Sequence, residues 1–301
     1  MLALELREHY NAILVFSQPW ATAIIPGYDY FFLHVQDSDH QIMHSPMQDI
    51  SDGLSSWRLA LHWAWMDTKL KYRRSVIGPL WITISVGATI LGMGVVFSTL
   101  WGMTLGDFLP YICTGMIAWG LITSLINEGA VVFINSENLL TQINLPATTC
   151  VLRMVFRQFI IFLHNILIFL LVVLVFGVDL SPATPLAALG LLFYLVTGIW
   201  FGILFGMICA RFRDVPQVLT NLVQLTFFIT PIFWKPEMLG ERVFITTYNP
   251  LFHFLEVVRQ PLLGHYPSAA NWGVVATVTV LGIATTWLFH QHFFKRLKYW
   301  L

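Results

Sequence analysis

The stretch that decides the fold is FRQFIIFLHNILIFLLVVLVF, Phe156 to Phe176, in which Arg157 is the only formally charged residue and every position from Ile166 to Phe176 is apolar. A bilayer's hydrocarbon core is about 30 Å thick, and a helix needs about 20 mostly apolar residues to cross it, because backbone N–H and C=O groups find no other partner there. Working outward, the same reading places further spans at about 76–101, 109–134, 185–210, 218–234 and 272–289, six in all. Of 301 residues, 57% are hydrophobic and 11% charged, and the mean hydropathy is +0.71, which excludes an ordinary soluble protein. The expected fold is an all-α polytopic membrane protein.

Charge sets the orientation. Sixteen Lys+Arg balance sixteen Asp+Glu, so there is no general electrostatic case for a nucleic-acid partner. With the N-terminus inside, Lys69, Lys71, Arg73, Arg74, Arg153, Arg157, Arg211, Arg213, Lys295, Arg296 and Lys298 fall on the cytoplasmic side. Only Lys235, Arg242 and Arg259 fall outside. The positive-inside rule therefore puts both termini in the cytoplasm. The external connections after spans one and three are short, which leaves 235–271 as the one large outer segment. Pro231, Pro236 and Pro250 break the apolar stretch from Phe227 to Phe254 into short helices, expected to dip into the outer interface as a re-entrant hairpin, single or double.

Residues 1–50 are expected to be a cytoplasmic extension. Glu5, Arg7 and Glu8 open it without the apolar core of a signal peptide, and everything argued below already lies beyond Met47, so part of it is expected to be dispensable. His34 and Asp39 have the H-x4-D spacing of some acyltransferases, a pattern too short to specify catalysis. Cys113, Cys150 and Cys209 lack paired metal or redox spacing and read as small buried hydrophobes. His290 and His292, two apart, point to different helix faces, so no metal site is expected. Residues 51–74 form the next unit. From Leu54 to Leu70, Ser51, Ser55, Arg58, His62 and Lys69 recur on one stripe while Trp57, Leu61, Trp63, Ala64 and Trp65 cover the rest, as in a helix lying in the membrane interface, with Ser51 or Asp52 as N-cap. The cluster Lys69, Lys71, Arg73 and Arg74 then meets the first span, either as an anchor on anionic lipid or as a contact for the anionic headgroup of a transported lipid.

Lys71-Tyr72-Arg73-Arg74-Ser75, followed by Gly78, Leu80 and Trp81, resembles the segment entering the first span of ABC-2 type permeases that export polysaccharides, among them O-antigen, capsule and teichoic acid transporters. Ala210-Arg211-Phe212-Arg213-Asp214-Val215 with Thr230-Pro231-Ile232 is similar to the inner turn and fifth span of that family. Asn249-Pro250-Leu251 with Arg259 and Gly264 is similar to its outer segment. The resemblance runs over about 54–301, with 75–301 as the transmembrane domain, and does not account for the leader.

That resemblance implies an inner-membrane exporter subunit of a bacterium, acting as a homodimer over a dimer of separate ATPase subunits. The chain itself has no GxxxxGK[ST] loop, so no cofactor is expected on it; ATP and Mg would sit on the partner. The ATPase would land on the interface helix, at Arg58 and His62, and on the second inner connection, at Glu137, Asn138, Leu139 and Leu140. The substrate would be a polyprenyl-diphosphate-linked polysaccharide, its headgroup met by Lys69, Lys71, Arg73 and Arg74. Aromatic residues make up 15% of the chain, and sugar rings stack on aromatic faces. Trp81, Phe97, Trp101, Tyr111, Trp119, Phe227, Phe228, Phe233 and Trp234 are the candidate glycan path, with Thr83, Ser85, Asn127, Asn221, Gln224 and Thr226 as its polar lining; any one ring can equally face lipid or a neighbouring helix. Glu128, the acidic residue deepest in a span, would line the inner vestibule or pair with Arg157. His164 and Asn165 are read as interhelical hydrogen-bonding groups, and Glu256 with Arg259 as an i,i+3 pair. An intramembrane glycosyl- or acyltransferase is the alternative from another class, and export of teichoic acid or a drug the variant within the same fold.

Overall fold

The computed structural model describes residues 45–71, 73, 78, 80–143 and 145–301, all within the unit that begins at His44. His34, Asp39 and Arg74 lie outside the described residues. Among the described residues the secondary structure is helical, with no strand.

The interfacial segment is two helices, not one. α1 (Pro46–Ser55) starts at Ser45, whose Oγ accepts the Gln48 N–H while the Gln48 side chain accepts the Ser45 N–H, a complete capping box. Ser51 and Asp52 are thus interior residues, not caps. The break falls at Ser56 because the Ser55 and Ser56 hydroxyls both donate to the Asp52 carbonyl, at 2.8 and 2.7 Å, and compete with the helix for it. α2 (Trp57–Lys71) then seats a stripe of small residues, Ala60, Ala64 and Thr68, against the protein. Trp57, Leu61 and Trp65 face outward, as a helix bedded in lipid headgroups requires.

Five helices are long and apolar enough to cross a membrane. These are α3 (Leu80–Leu100), α4 (Leu105–Ala130), α7 (Ala147–Phe176), α8 (Leu186–Arg211) and α12 (Ala269–Phe293), the last prolonged by a 3-10 turn and α13 (Leu297–Trp300). Two short helices, α5 (Val132–Asn135) and α6 (Glu137–Gln142), join α4 to α7. α4 is the hub: 67% of its apolar window is buried in the protein against 11% for α3, so α3 presents most of its surface outward. The boundaries differ from those read in the sequence mainly at α7, which starts at Ala147, directly after Pro146 as its N-cap. α8 packs closely through Gly198, Gly202 and Gly206, where an added Cβ would meet Leu125, Val151 and Val132 within 3 Å.

The span expected at 218–234 is shorter than that. α9 (Val215–Ile229) has 15 residues, about 22 Å at 1.5 Å per residue, and Thr230-Pro231 ends it. Its two ends nevertheless lie at opposite ends of the bundle. At the start, Arg213 donates to the carbonyls of Trp300 and Leu301, each at 3.4 Å. At the finish, the Pro231 carbonyl accepts from Tyr111 near the start of α4. Beyond it come a 3-10 segment (Pro236–Val243), α10 (Phe244–Thr247) and α11 (Pro250–Leu262), whose following turn at Gly264 accepts a 2.6 Å hydrogen bond from Ser181 in the α7–α8 connection.

Candidate functional site

α4 and α9 enclose an open groove of about 780 Å³. α4 contributes Trp119, Thr123 and Asn127, which recur every four residues and so share one face. α9 contributes Thr220, Asn221 and Gln224 together with Val223, Leu225, Phe227 and Phe228. Along α9 the exposed residues Gln217, Asn221, Gln224 and Phe228 form one stripe at i, i+4, i+7 and i+11, and Val218, Leu222, Leu225 and Ile229 form another. A polar stripe on a helix inside an apolar bundle demands water or a polar ligand opposite it, whereas the apolar stripe suits lipid or another protein surface. Two hydrogen bonds organise the wall: Thr220 Oγ1 donates to Asn127 Oδ1 at 3.1 Å, and Gln217 Nε2 to Asn221 Oδ1 at 3.0 Å. The groove can therefore offer amide and hydroxyl groups beside ring faces, the chemistry that binds a polyol.

Of the nine candidate aromatic residues, Trp119, Phe227 and Phe228 line this groove. Phe227 continues the row inward to Phe233 and Phe97, with centroids 5.5 and 5.1 Å apart, and Phe97 to Trp101 at 5.1 Å. Phe97, Trp101 and Phe233 are thus packed against the core and brace the groove rather than line it. Tyr111 is buried, and the Trp234 indole donates to the Phe228 carbonyl at 3.4 Å. Trp81 is 55% exposed on α3, outside the groove. Of the polar candidates, Thr83 donates to the His164 carbonyl and Ser85 to the Trp81 carbonyl, also away from it, and Thr226 donates to the Leu222 carbonyl of its own helix. The His164 ring bonds its own helix at the Ile160 carbonyl, so the contact between helices there runs through its backbone, not its side chain.

Where α4 ends and α7 begins, a polar network ties α2 to the bundle. Asp67 on α2 accepts two hydrogen bonds from Arg153 on α7, Nε at 2.7 Å and an Nη at 2.6 Å, and approaches Arg157 at 3.4 Å. Arg157 reaches on to Glu128 of α4 at 2.6 Å, the pairing expected from sequence. Asp49 on α1 is fully buried and does what Pro146 cannot: it accepts the Ala147 and Thr148 N–H groups and the Thr148 hydroxyl at the start of α7. A carboxylate at a helix N-terminus is favoured by the helix dipole. His290 on α12 lies 3.5 Å from the same carboxylate. Neither Asp49 nor Asp67 stood out in the sequence, since their partners are 98 and 86 residues away. Lys69, Lys71 and Arg73 are exposed just beyond Asp67, as are Arg58, Glu137 and Asn138; His62 and Leu139 are half-buried and Leu140 is core.

At the opposite end of the bundle Arg259 of α11 is the largest fully buried side chain among the described residues. It pairs with Glu256, donates to the Pro231 carbonyl at 2.5 Å, and stacks 4.2 Å above the Tyr111 ring. Tyr111 Oη in turn donates to the Pro231 and Trp234 carbonyls, at 3.2 and 2.9 Å. The Pro231 and Trp234 carbonyls, in the turn beyond α9, are satisfied by these two side chains, which fasten that turn and α11 to α4.

The sequence model of the ABC-2 type transporter family matches residues 61–263, from within α2 to the end of α11, which takes in both groove helices, Asp67 with its arginines and Arg259, but not α1 or α12. The chain belongs to the ABC-2 type transporter family. This ABC-2 permease is 23% identical over 240 residues to an O-antigen export system permease protein, RfbA, of Klebsiella pneumoniae, a match covering 77% of this chain and 89% of the relative. It is 21% identical over 219 residues to the RfbA permease of Myxococcus xanthus, covering 71% of this chain and 84% of that one. With several long apolar helices, it is a multi-pass membrane permease related to O-antigen exporters.

Proposed function

We propose that the chain is the membrane subunit of an ATP-driven exporter that moves a polyprenyl-diphosphate-linked polysaccharide out across the inner membrane of a bacterium. The observation that carries the reading is the α4–α9 groove, where a polar stripe lies beside the rings of Trp119, Phe227 and Phe228 on an open surface of an otherwise apolar bundle. Such a wall holds sugar rings by many weak contacts, each of which can be exchanged for the next. Lys69, Lys71 and Arg73 would draw the diphosphate to the inner end of the groove, and Arg74 would join them.

Topology favours six crossings. Five would leave the two ends of the described chain on opposite faces, yet Lys69–Arg73 and Lys295–Lys298 are both basic ends that the positive-inside rule assigns to the cytoplasm. α9 with its continuation to Trp234 would supply the missing crossing, between the inner turn at Arg213 and the outer latch at Tyr111. Relatives named as permease components of an export system support a separate ATPase. Two copies of each subunit would complete the exporter, with α2 and the exposed Glu137 and Asn138 of α6 receiving the ATPase. ATP binding can shift the permease only through contacts that differ between its states, and the Arg153–Asp67–Arg157–Glu128 chain would be the physical link from that surface to the groove helix α4. Co-expression with the ATPase encoded nearest to it tests the reading: a stable complex whose hydrolysis responds to lipid-linked glycan is expected, and failure to associate with any ATPase overturns it.

A further inference from the structure

The groove discriminates among polymers by charge. Resting on the exporter reading above, we infer that the exported glycan is uncharged in its repeating unit, which selects a neutral polysaccharide over a polyanion such as a glycerol- or ribitol-phosphate chain or a uronic-acid polymer. None of the groove's lining residues is ionisable. Its polar groups are the amides of Asn127, Asn221 and Gln224 and the hydroxyls of Thr123 and Thr220, each both donor and acceptor, as sugar hydroxyls are. A phosphate or carboxylate in every repeat would give up its hydration to a wall that offers neutral groups and no cation, and pores for such anions are ringed with Lys or Arg.

The described cations around the groove helices do not supply that ring. Arg157 is held by Glu128 and Asp67, Arg153 by Asp67 in a two-point contact, and Arg259 is buried against Glu256. Arg211 and Arg213 stand before the start of α9 and Lys235 beyond its end, and none of the three lines the groove. The exposed cations Lys69, Lys71 and Arg73 sit at the inner end, where they suit the single diphosphate that each polymer carries rather than a charge that recurs along it. Trp119, Phe227 and Phe228 supply apolar ring faces that bind the C–H faces of neutral sugars.

The test is to delete this chain in its native host, isolate the lipid-linked polymer that accumulates inside the cell, remove the lipid diphosphate by mild acid, and pass the glycan over an anion exchanger. Elution in the unbound fraction, without phosphate or uronic acid, is expected. The same delipidated polymer titrated into the full-length chain in lipid nanodiscs should bind equally at low and high salt, and Trp119→Ala or Gln224→Ala should weaken it about tenfold, as loss of a central ring or hydrogen-bonding contact does. Retention on the exchanger with charge in each repeat, or binding lost in high salt, overturns the inference and leaves the exporter reading standing. No accumulated polymer at all overturns the exporter reading and the inference with it.

Discussion

Arg153 grips Asp67 with two nitrogens, at 2.7 and 2.6 Å, so that α2 is fixed in rotation against α7, the longest helix among the described residues. A two-point guanidinium–carboxylate contact is directional as well as strong, which a single lysine could not reproduce. The same carboxylate meets Arg157, whose far side holds Glu128. Movement of α2 would be felt at α4, and α4 is one wall of the groove.

Asp67→Ala should therefore separate coupling from assembly. Two partly exposed arginines lose a shared partner, at a cost of about 1–3 kcal/mol, small enough for the chain still to fold. The expected outcome in the purified complex is normal ATPase association with hydrolysis that no longer responds to glycan. Arg153→Lys should show a milder form of the same defect.

Asp49→Ala removes the only side-chain acceptor that the described residues place on the Ala147 and Thr148 N–H groups, in a buried place at the start of α7. Caps of this kind are worth about 1–2 kcal/mol, so the apparent Tm in detergent should fall by several degrees, with Asp49→Asn recovering part of the loss. An unchanged Tm would mean that α1 is not seated against α7 in the membrane.

Gly190 is a position where space decides. A Cβ there would stand 2.6 Å from the Val257 carbonyl oxygen, a backbone atom that cannot rotate away. Gly190→Ala should push α11 off α8 and lower the yield of folded protein sharply, whereas Gly273→Ala, with nothing within 4 Å, should be silent in the same expression assay.

The outer latch yields the fourth prediction. Tyr111→Phe keeps the ring beneath Arg259 and deletes two hydrogen bonds, costing about 1–3 kcal/mol. Arg259→Met leaves Glu256 buried without its cation and should cost about 3–5 kcal/mol. Limited proteolysis of the outer segment in sealed right-side-out vesicles would read both, with cleavage faster in Arg259→Met than in Tyr111→Phe and slowest in the parent chain.

Much of this arrangement was legible in the sequence for a physical reason. Runs such as Ile166 to Phe176 can be stable only in lipid, and a polar amide within such a run, at Asn127, Asn221 or Gln224, must face something polar. The cost of a lone charge in that setting made pairing with Arg157 one of two roles open to Glu128, and the i,i+3 spacing of Glu256 and Arg259 suggested their pair. The division of the aromatic residues did not follow, because Trp81, Phe97 and Trp119 look alike until the helices are assembled. α9 was read too long because its apolar character continues past Thr230-Pro231, where the backbone turns. Asp49 and Asp67 were missed altogether: each sits in a stretch of mixed polarity and acquires its meaning only from arginines or N–H groups roughly a third of the chain away.

The most direct test of the exporter account uses proteoliposomes containing this chain and the ATPase encoded beside it, loaded with lipid-linked glycan from the same host. Sealed vesicles with the ATPase outward should carry glycan from the outer to the inner leaflet, so that it becomes protected from added glycosidase when ATP is supplied. Protection should vanish with a non-hydrolysable nucleotide and fall in the Trp119→Ala variant. Glycan that stays fully accessible in the presence of ATP, with a stable and hydrolysing complex in hand, would contradict the account.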